Sequence, residues 1–436
     1  VTLGGGATGV TDSSDSDTLD LLIGDVPAGG TVTIDYEATV TSSVTPLQSV
    51  TNTASLAYTT LPGANGTTTN ATGSSTPGGS GTSTGERDGS GGALNTLHAS
   101  SSRSFTAGSP TVAKSISATS ISNTGSAQFN AGRPDVAIGE TVTYLVTASL
   151  IEGTNAVTIT DNVPAGMSVV SATVVSLGAN LSGSSLAIGA SATLSDVNVV
   201  DGLNDRAVFS FGTITNTSDN VADANDQIVV QVVGRVENVG GNVSGTVLTN
   251  TATLNYGSGS ANSSQSVDVV VPQLQIVKSV QPIDADTTRY RLVVTHAAAS
   301  QAPAFDVTLA DLLSNPSLQL VAGSVVIDAA TTVVGATVAS GNGVSDTNVS
   351  VTAPVVELGQ TLIITFDANI PSVQSARIDN TGRVDWDSNP NAGPSRTGNA
   401  TSTASVGAIG DFVYYDTNGN GSPNAGEPGI PGLTVQ

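Results

Sequence analysis

Cysteine is absent from the 436 residues, so neither disulfide cross-links nor thiol chemistry is open to this chain. Lysine occurs twice, methionine once and tryptophan once. Charged residues make up 11%, against roughly 25% in an ordinary domain. With 12 basic and 35 acidic residues the net charge is −23, a field that repels nucleic acid and anionic membrane surfaces. No apolar run approaches the ~20 residues of a membrane span, and no signal peptide is visible. Contact of this segment with nucleic acid or membrane is therefore not expected. The two histidines, His98 and His296, lie far apart and show no Ser or Asp partner in the sequence. No enzyme is expected. Carboxylates are plentiful enough that composition alone leaves a glycan hydrolase open, but no motif supports one.

What remains is rich in Gly, Ser, Thr, Val and Ala, with 38% hydrophobic residues. Strong helix formers are scarce and β-branched residues abundant, which predicts an all-β fold with cores of Val, Ile, Leu and Ala. The chain also repeats itself. V-L-T-N-T-A-T-L-N-Y at Val247–Tyr256 is matched by S-V-T-N-T-A-S-L-A-Y at Ser49–Tyr58 and, more loosely, by R-I-D-N-T-G-R-V-D-W at Arg377–Trp386. Each alternates as a strand with one buried face, and Asn52, Asn250 and Asn380 are equivalent. The repeats divide the chain into a partial unit at 1–108, complete units at 109–272 and 273–406, and a new domain beginning at 407–436. In the first unit T-V-T-I-D-Y-E-A-T-V (Thr31–Val40) is expected as a strand, and a polar insertion over about 62–99 as an exposed loop. Seven or so short strands per unit predict tandem immunoglobulin-like β-sandwiches. A β-solenoid is the alternative, disfavoured because these repeats exceed 100 residues.

The only lysines, Lys114 and Lys278, occupy the same place in the opening strands of the two complete units. Each unit also has an Asp at the end of its third strand, Asp161 and Asp311, and its Asn, Asn250 and Asn380. Such a trio is what an intramolecular isopeptide bond needs. Burial lowers the lysine pKa and makes it a nucleophile. The Asn carboxamide is the electrophile, and a carboxyl kept protonated polarises it and shuttles protons to the leaving ammonia. The blander readings are a lysine guarding a strand edge, an Asx-turn at Asp161, and an Asn hydrogen-bonded to backbone. Glu140 is a competing acid in the second unit. Asn52 has no lysine in its unit, which leaves open a cut sequence or strands supplied by a neighbouring subunit.

The K-S openings, G-E-T-V-T-Y, T-D-N-V-P-A-G and T-N-T-A resemble the bacterial surface repeat known as the domain-of-unknown-function-eleven family, and the related fimbrial isopeptide-formation domain. The G-T-S-T-G-E-R-D-G-S-G-G insertion is similar to loops of that group. The resemblance covers 1–406 and is looser in the third unit, where T-L-A-D-L-L lacks the Pro-Ala-Gly turn. It implies an immunoglobulin-like sandwich in a secreted, cell-surface or fibre protein.

Asp416–Glu427, D-T-N-G-N-G-S-P-N-A-G-E, has the spacing of an EF-hand loop. Asp416, Asn418 and Asn420 supply side-chain oxygens, Ser422 its carbonyl, Asn424 an oxygen directly or through water, and Glu427 two oxygens to Ca2+. Gly421 allows the sharp turn, and an ion-free D-x-N-G turn is the alternative. The flanking I-G-D-F-V-Y-Y-D and E-P-G-I-P-G-L-T-V resemble the calcium-binding B-type domain of serine-aspartate-repeat adhesins. The expected function is a structural, extracellular, cell-surface stalk or fibre stiffened by isopeptide bonds and calcium. Its expected partners are neighbouring copies of itself or other surface proteins. The alternative is an adhesin that binds a host, matrix or glycan ligand through exposed loops.

Overall fold

The structure is a computed structural model and describes residues 1–59, 97–121, 124, 131–197, 201–284, 286–370, 377–390, 395–406, 415–421 and 424–430. It is all-β, with tandem immunoglobulin-like sandwiches. Among the described residues there is no α-helix, and no helix is long and apolar enough to cross a membrane.

The second unit shows how sequence alternation becomes a core. In Thr141–Ser149 the residues Val142, Tyr144, Val146 and Ala148 are buried, while the Thr residues between them face out. This is the period of two that a pleated strand imposes. Gln227–Val236 alternates the same way and lies in the middle of its sheet, as its apolar character predicts. That sheet runs Met167–Leu177, Gln227–Val236, Thr141–Ser149, Thr111–Thr119. The opposing sheet runs Leu181–Ser182, Arg206–Asn216, Gly153–Asn162, Val247–Asn255, Ser260–Val270, Asp135–Ala137. Phe209 and Phe211, Tyr144 and a layer of Val, Ile and Leu fill the space between the sheets.

The third unit repeats the arrangement. Leu274–Pro282, Thr287–His296 and Thr361–Asn369 form one sheet, with two short strands at its far edge. Thr337–Ser340, Asn348–Val356, Ala304–Leu312, Ile378–Asp387 and Thr397–Val406 form the other. In both units the lysine-bearing opening strand is an edge of one sheet, whereas the Asp and Asn strands are neighbours in the other.

The first unit is less regular. Ser49–Tyr58 and Leu97–Thr106 pair as a two-stranded sheet, so the closing strand begins at Leu97, inside the expected insertion. Residues 60–96 lie outside the described residues. The strand expected over Thr31–Val40 is reduced to Thr31–Thr33. In the third unit the matching strand, Thr361–Asn369, is held along its whole length by Thr287–His296. Here the partner strand, Thr2–Gly4, reaches only Thr31–Thr33; among the described residues no strand continues along 34–40, and unpaired backbone does not hold a ladder.

The second and third units meet in a polar and apolar joint. Ile121, Ala137 and Phe305 are buried together, with Val355 packed on them. Arg396 donates to Asn238 Oδ1 at 3.0 Å, Asn242 O at 2.6 Å and Val239 O at 2.7 Å, and Asn238 donates to Ser395 O at 2.8 Å. The Trp386 indole donates to Pro272 O and Ser388 to Ile138 O. A fork of donors on three acceptors fixes orientation as well as contact.

Candidate functional site

Lys114 alternates inward with Val112 and Ile116 on Thr111–Thr119. On one side its strand pairs with Thr141–Ser149, placing Lys114 opposite Val146. On the other side the opposing sheet holds its backbone directly. The Lys114 N–H donates to Ser263 Oγ and Gln265 Nε2 donates to Lys114 O, each at 2.9 Å. Ser263 is the register partner of Ala252, and Gln265 that of Asn250. The lysine is thus pinned across from the Asn strand before its side chain is considered.

The side chains complete the site. Lys114 Nζ is in direct contact with Asp161 Oδ2, and neither side chain has any solvent exposure. Asp161 sits in register with Ala252 on the adjacent strand, and Asn250 is the next inward residue of that strand. The Lys114 ammonium nitrogen lies 4.7 Å from the centre of the Tyr144 ring. Asn250 is fully buried, and neither its oxygen nor its nitrogen makes a hydrogen bond. Its amide leans on the Asp161 carboxylate without completing one of normal geometry. Burying an amide with nothing to bond costs roughly 1–3 kcal/mol. Such a group calls for a functional explanation.

The third unit carries the same parts. The Lys278 N–H donates to Ser402 Oγ at 3.0 Å, and Ser402 is opposite Gly382. Lys278 Nζ contacts Asp311 Oδ2, again with both side chains unexposed. It stands 4.7 Å from the Tyr290 ring and 5.7 Å from that of Phe366. Asn380 is buried with an unpartnered nitrogen. The position of Ala252 is taken here by Gly382, where a Cβ would lie 2.5 Å from Leu292 Cδ2 and 3.1 Å from Asp311 Oδ2. Glycine leaves room for the acid.

Burial drives the electrostatics. Desolvation pushes the Lys114 amine below its ordinary value, opposed by the Asp161 charge, and pushes Asp161 up, opposed by Lys114 and more weakly by Asn250. Lys278 and Asp311 shift the same way for the same reasons. Desolvation, with Asp311 nearby, raises Tyr290 to about 12, and desolvation also raises Tyr144. Opposite shifts on a touching pair favour moving the proton from lysine to carboxylate. An uncharged amine and a carboxylic acid beside a carboxamide are the forms these directions favour.

The structure therefore brings each predicted trio together and departs from two of the blander readings. The lysines are buried, not exposed edge guards. Asp161 lies within Gly153–Asn162, not in a turn. Glu140, the competing acid, is committed elsewhere: it accepts from Ile121 N at 3.1 Å, Ala137 N at 2.8 Å and Thr124 Oγ1 at 2.6 Å. Sequence reasoning missed the two tyrosines and the two serines. Their signal was present, since both pairs occupy equivalent register positions.

The terminal loop is partly described, and Ser422 lies outside the described residues. The Asp416 carboxylate accepts from Gly419, Asn420 and Gly421 N–H at 2.6, 3.2 and 2.8 Å. Those bonds hold it below its ordinary value, that from Gly421 most. Gly421 has φ +71°, which only glycine adopts freely. Asn418 Oδ1 accepts from Asn420 N, and Asn424 Nδ2 donates to Asn420 Oδ1. Glu427 folds back to accept from Thr417 and Asn424 N–H at 3.0 and 2.9 Å. The loop carries hard oxygen atoms of the type Ca2+ takes, on two carboxylates and on asparagine amides, and both carboxylates are engaged by the loop's own backbone N–H groups. Among the described residues no group of three acidic or histidine side chains converges as a metal site.

The fold and the sites define a class: tandem β-sandwiches, each complete one with a dry Lys–Asp–Asn cluster linking its two sheets. No protein-family model matches the chain, and no curated protein matches its sequence. Among solved structures, the C-terminal domain of the antigen I/II polypeptide BspA of Streptococcus agalactiae overlaps with a TM-score of 0.38 and 11% identity, covering 68% of this chain and 100% of that one. The corresponding domain of AspA of Streptococcus pyogenes gives 0.35 and 9%, covering 68% and 99%. The collagen adhesin CNA of S. aureus gives 0.22 and 14%, covering 68% and 96%. All three overlaps are low.

Proposed function

We propose that this chain is part of an extracellular surface stalk or fibre whose complete sandwiches are each locked by an amide between Lys and Asn: Lys114 to Asn250, and Lys278 to Asn380. One observation carries the reading. In both units the same three residues are buried together, and the Asn amide is left short of hydrogen bonds. The lysine nitrogen attacks the carboxamide carbon and the C–N bond to the Asn nitrogen breaks. That nitrogen leaves as ammonia, taking up a proton relayed by the Asp carboxyl, which is unchanged at the end. Atoms balance without a co-reactant. The product joins the two sheets across their open edge, a staple where a cysteine-free chain has no disulfide.

Intact-mass spectrometry tests it. The full chain should weigh less than its sequence by two ammonia molecules, Lys114→Ala by one, and Lys114→Ala with Lys278→Ala should show the unmodified mass. A wild-type mass without loss would end the reading. The amine–acid pair holds one proton in either the neutral or the ionic form. Formation in unfolded and refolded protein should therefore be flat in pH between the two titrations. It should slow in acid as the amine takes a second proton, and in base as the acid loses its own.

We further propose that the terminal loop holds Ca2+ through Asp416, Asn418, Asn420 and Glu427, with Asn424 and Ser422 assisting. With two carboxylates the dissociation constant should be on the order of 10⁻⁴–10⁻³ M, as in extracellular modules. Calorimetric titration should show one such site, lost in Asp416→Ala; an unchanged heat in that variant would remove the assignment.

A further inference from the structure

The backbone leading into the Asn strand makes the same double turn in the first and second units. Val44 N–H donates to Thr41 O and Gln48 N–H to Thr45 O, each at 3.1 Å. Asn242 N–H donates to Val239 O at 3.1 Å and Thr246 N–H to Val243 O at 3.0 Å. These positions are equivalent, since they differ by 198 residues, as Asn52 and Asn250 do (250 − 52). A double turn leaves carbonyls outside any ladder, and such groups need other partners. In both units the following sandwich supplies them. Val44 O accepts from Thr154 N–H at 3.0 Å, and Ser42 O and Pro46 O accept from the Thr154 and Ser258 hydroxyls at 2.7 Å each. Asn242 O, the counterpart of Val44 O, accepts from Arg396 at 2.6 Å. Ser388 stands as far beyond Asn380 as Ser258 does beyond Asn250, and it too donates to a carbonyl of the preceding unit, that of Ile138.

The surface that receives the third unit is shaped from within the second. Asn242 is buried, and its amide donates to Gly166 O and Glu237 O at 2.8 Å each. Gly166 ends the Pro-Ala-Gly turn with φ +93°, and a Cβ there would collide with the Asn242 amide. The rest of the surface hangs on Glu140. Its buried carboxylate takes the N–H groups of Ile121 and Ala137, the two residues packed on Phe305. The linkers are short: residues 107–110 and 271–273 are all that separate a closing strand from the next opening strand.

We infer that the double turn is a repeated docking surface whose occupant is the next sandwich of the same chain, and that it joins each unit to the next as one stiff body. Small polar interfaces between domains ordinarily leave relative motion free. A hinge, however, needs a single line of attachment. The third unit is held at three separate segments of what precedes it: residues 238–242, the Ile121 and Ala137–Ile138 face, and the linker at Pro272. Glu140 touches the third unit through Ile121 and Ala137 alone, so it is a positioning residue. The joint needs no covalent bond in either lysine site, and it stands or falls apart from that chemistry.

A chain without cysteine can be given two for a donor–acceptor dye pair, at Val175 and Val326, exposed strand residues of the second and third units. Time-resolved energy transfer in the full chain should return one narrow distance distribution. Arg396→Ala, which removes the fork and no core residue, should broaden it. Arg396→Lys should broaden it as well, because a single ammonium does not reproduce the fork. Glu140→Gln, which turns an acceptor into a donor facing two N–H groups, should do the same. If that variant unfolds its unit, Ile121→Ala trims the same contact without touching the acid. Dyes at Ser104 and Val175 report the first joint, where Thr154→Ala with Ser258→Ala should broaden the distribution. A wild-type distribution as broad as that of Arg396→Ala overturns the stiff joint. Broadening at the second joint alone overturns its repetition, and a narrow distribution in both Glu140→Gln and Ile121→Ala overturns the role of Glu140.

Discussion

Replacing the Lys114–Asp161 pair by apolar residues, Lys114→Met with Asp161→Leu, should destabilise the second sandwich by ~5 kcal/mol. The sign is what makes this informative. A buried ion pair without a covalent bond is expensive to desolvate, and apolar replacements of similar volume are often neutral or stabilise by ~1–4 kcal/mol. An amide from Lys114 to Asn250 instead closes a loop of about 136 residues in the unfolded chain, by the difference 250 − 114. Chain-entropy reasoning assigns such a closure ~5 kcal/mol. At ~2–4 °C per kcal/mol for a unit of this size, the transition should fall by ~10–20 °C. The third unit, with its own site intact, serves as an internal reference in the same melt. Asn250→Ala separates the two contributions, since it removes the bond but leaves the pair. If the double replacement raises the melting temperature, the pair is an ordinary buried ion pair and no bond forms.

The components of the site were legible because strands alternate with period two. Once Val247–Tyr256, Ser49–Tyr58 and Arg377–Trp386 were aligned, the inward parity of Asn250 and Asn380 followed, and so did that of Lys114 and Lys278. Alternation says which face a residue occupies but not which strand lies beside it. That is why the opening strand could not be assigned to the sheet opposite the Asn strand, and why Asp161, followed by Asn162 and Pro164, reads in sequence as a turn residue. Ser263 and Ser402 showed in the sequence only as equivalent positions, with no sign of their role, because their hydroxyls meet lysine backbone 149 and 124 residues away. Arg396 was hidden too, because two of its three partners are backbone carbonyls of the preceding unit. Backbone acceptors leave no trace in residue identity. The reduced strand at Thr31 shows the converse, a sequence with the right alternation whose neighbour, Thr2–Gly4, spans only its first three residues.

Stretching single molecules between their ends should give the largest difference of all. Tension enters the second sandwich at Thr111–Thr119 and leaves at Ser260–Val270, the hairpin partner of the Asn strand. With the amide in place, force passes from Lys114 straight to Asn250, and residues 115–249 carry none of it. Those roughly 135 residues would extend by ~450 Å at ~3.4 Å each. The wild-type trace should therefore lack any step of that length, while Lys114→Ala should gain one. The third unit bypasses residues 279–379, so Lys278→Ala should add a shorter step of ~340 Å by the same arithmetic. The two lengths identify which unit has opened without any label. A wild-type chain that extends by both steps at ordinary unfolding forces would show that the buried triads hold no bond. Absence of the steps in wild type and their separate appearance in the two variants would place the load path through Lys114–Asn250 and Lys278–Asn380. In that case the sheets serve to keep the reacting groups dry and aligned, and the covalent staple bears the tension.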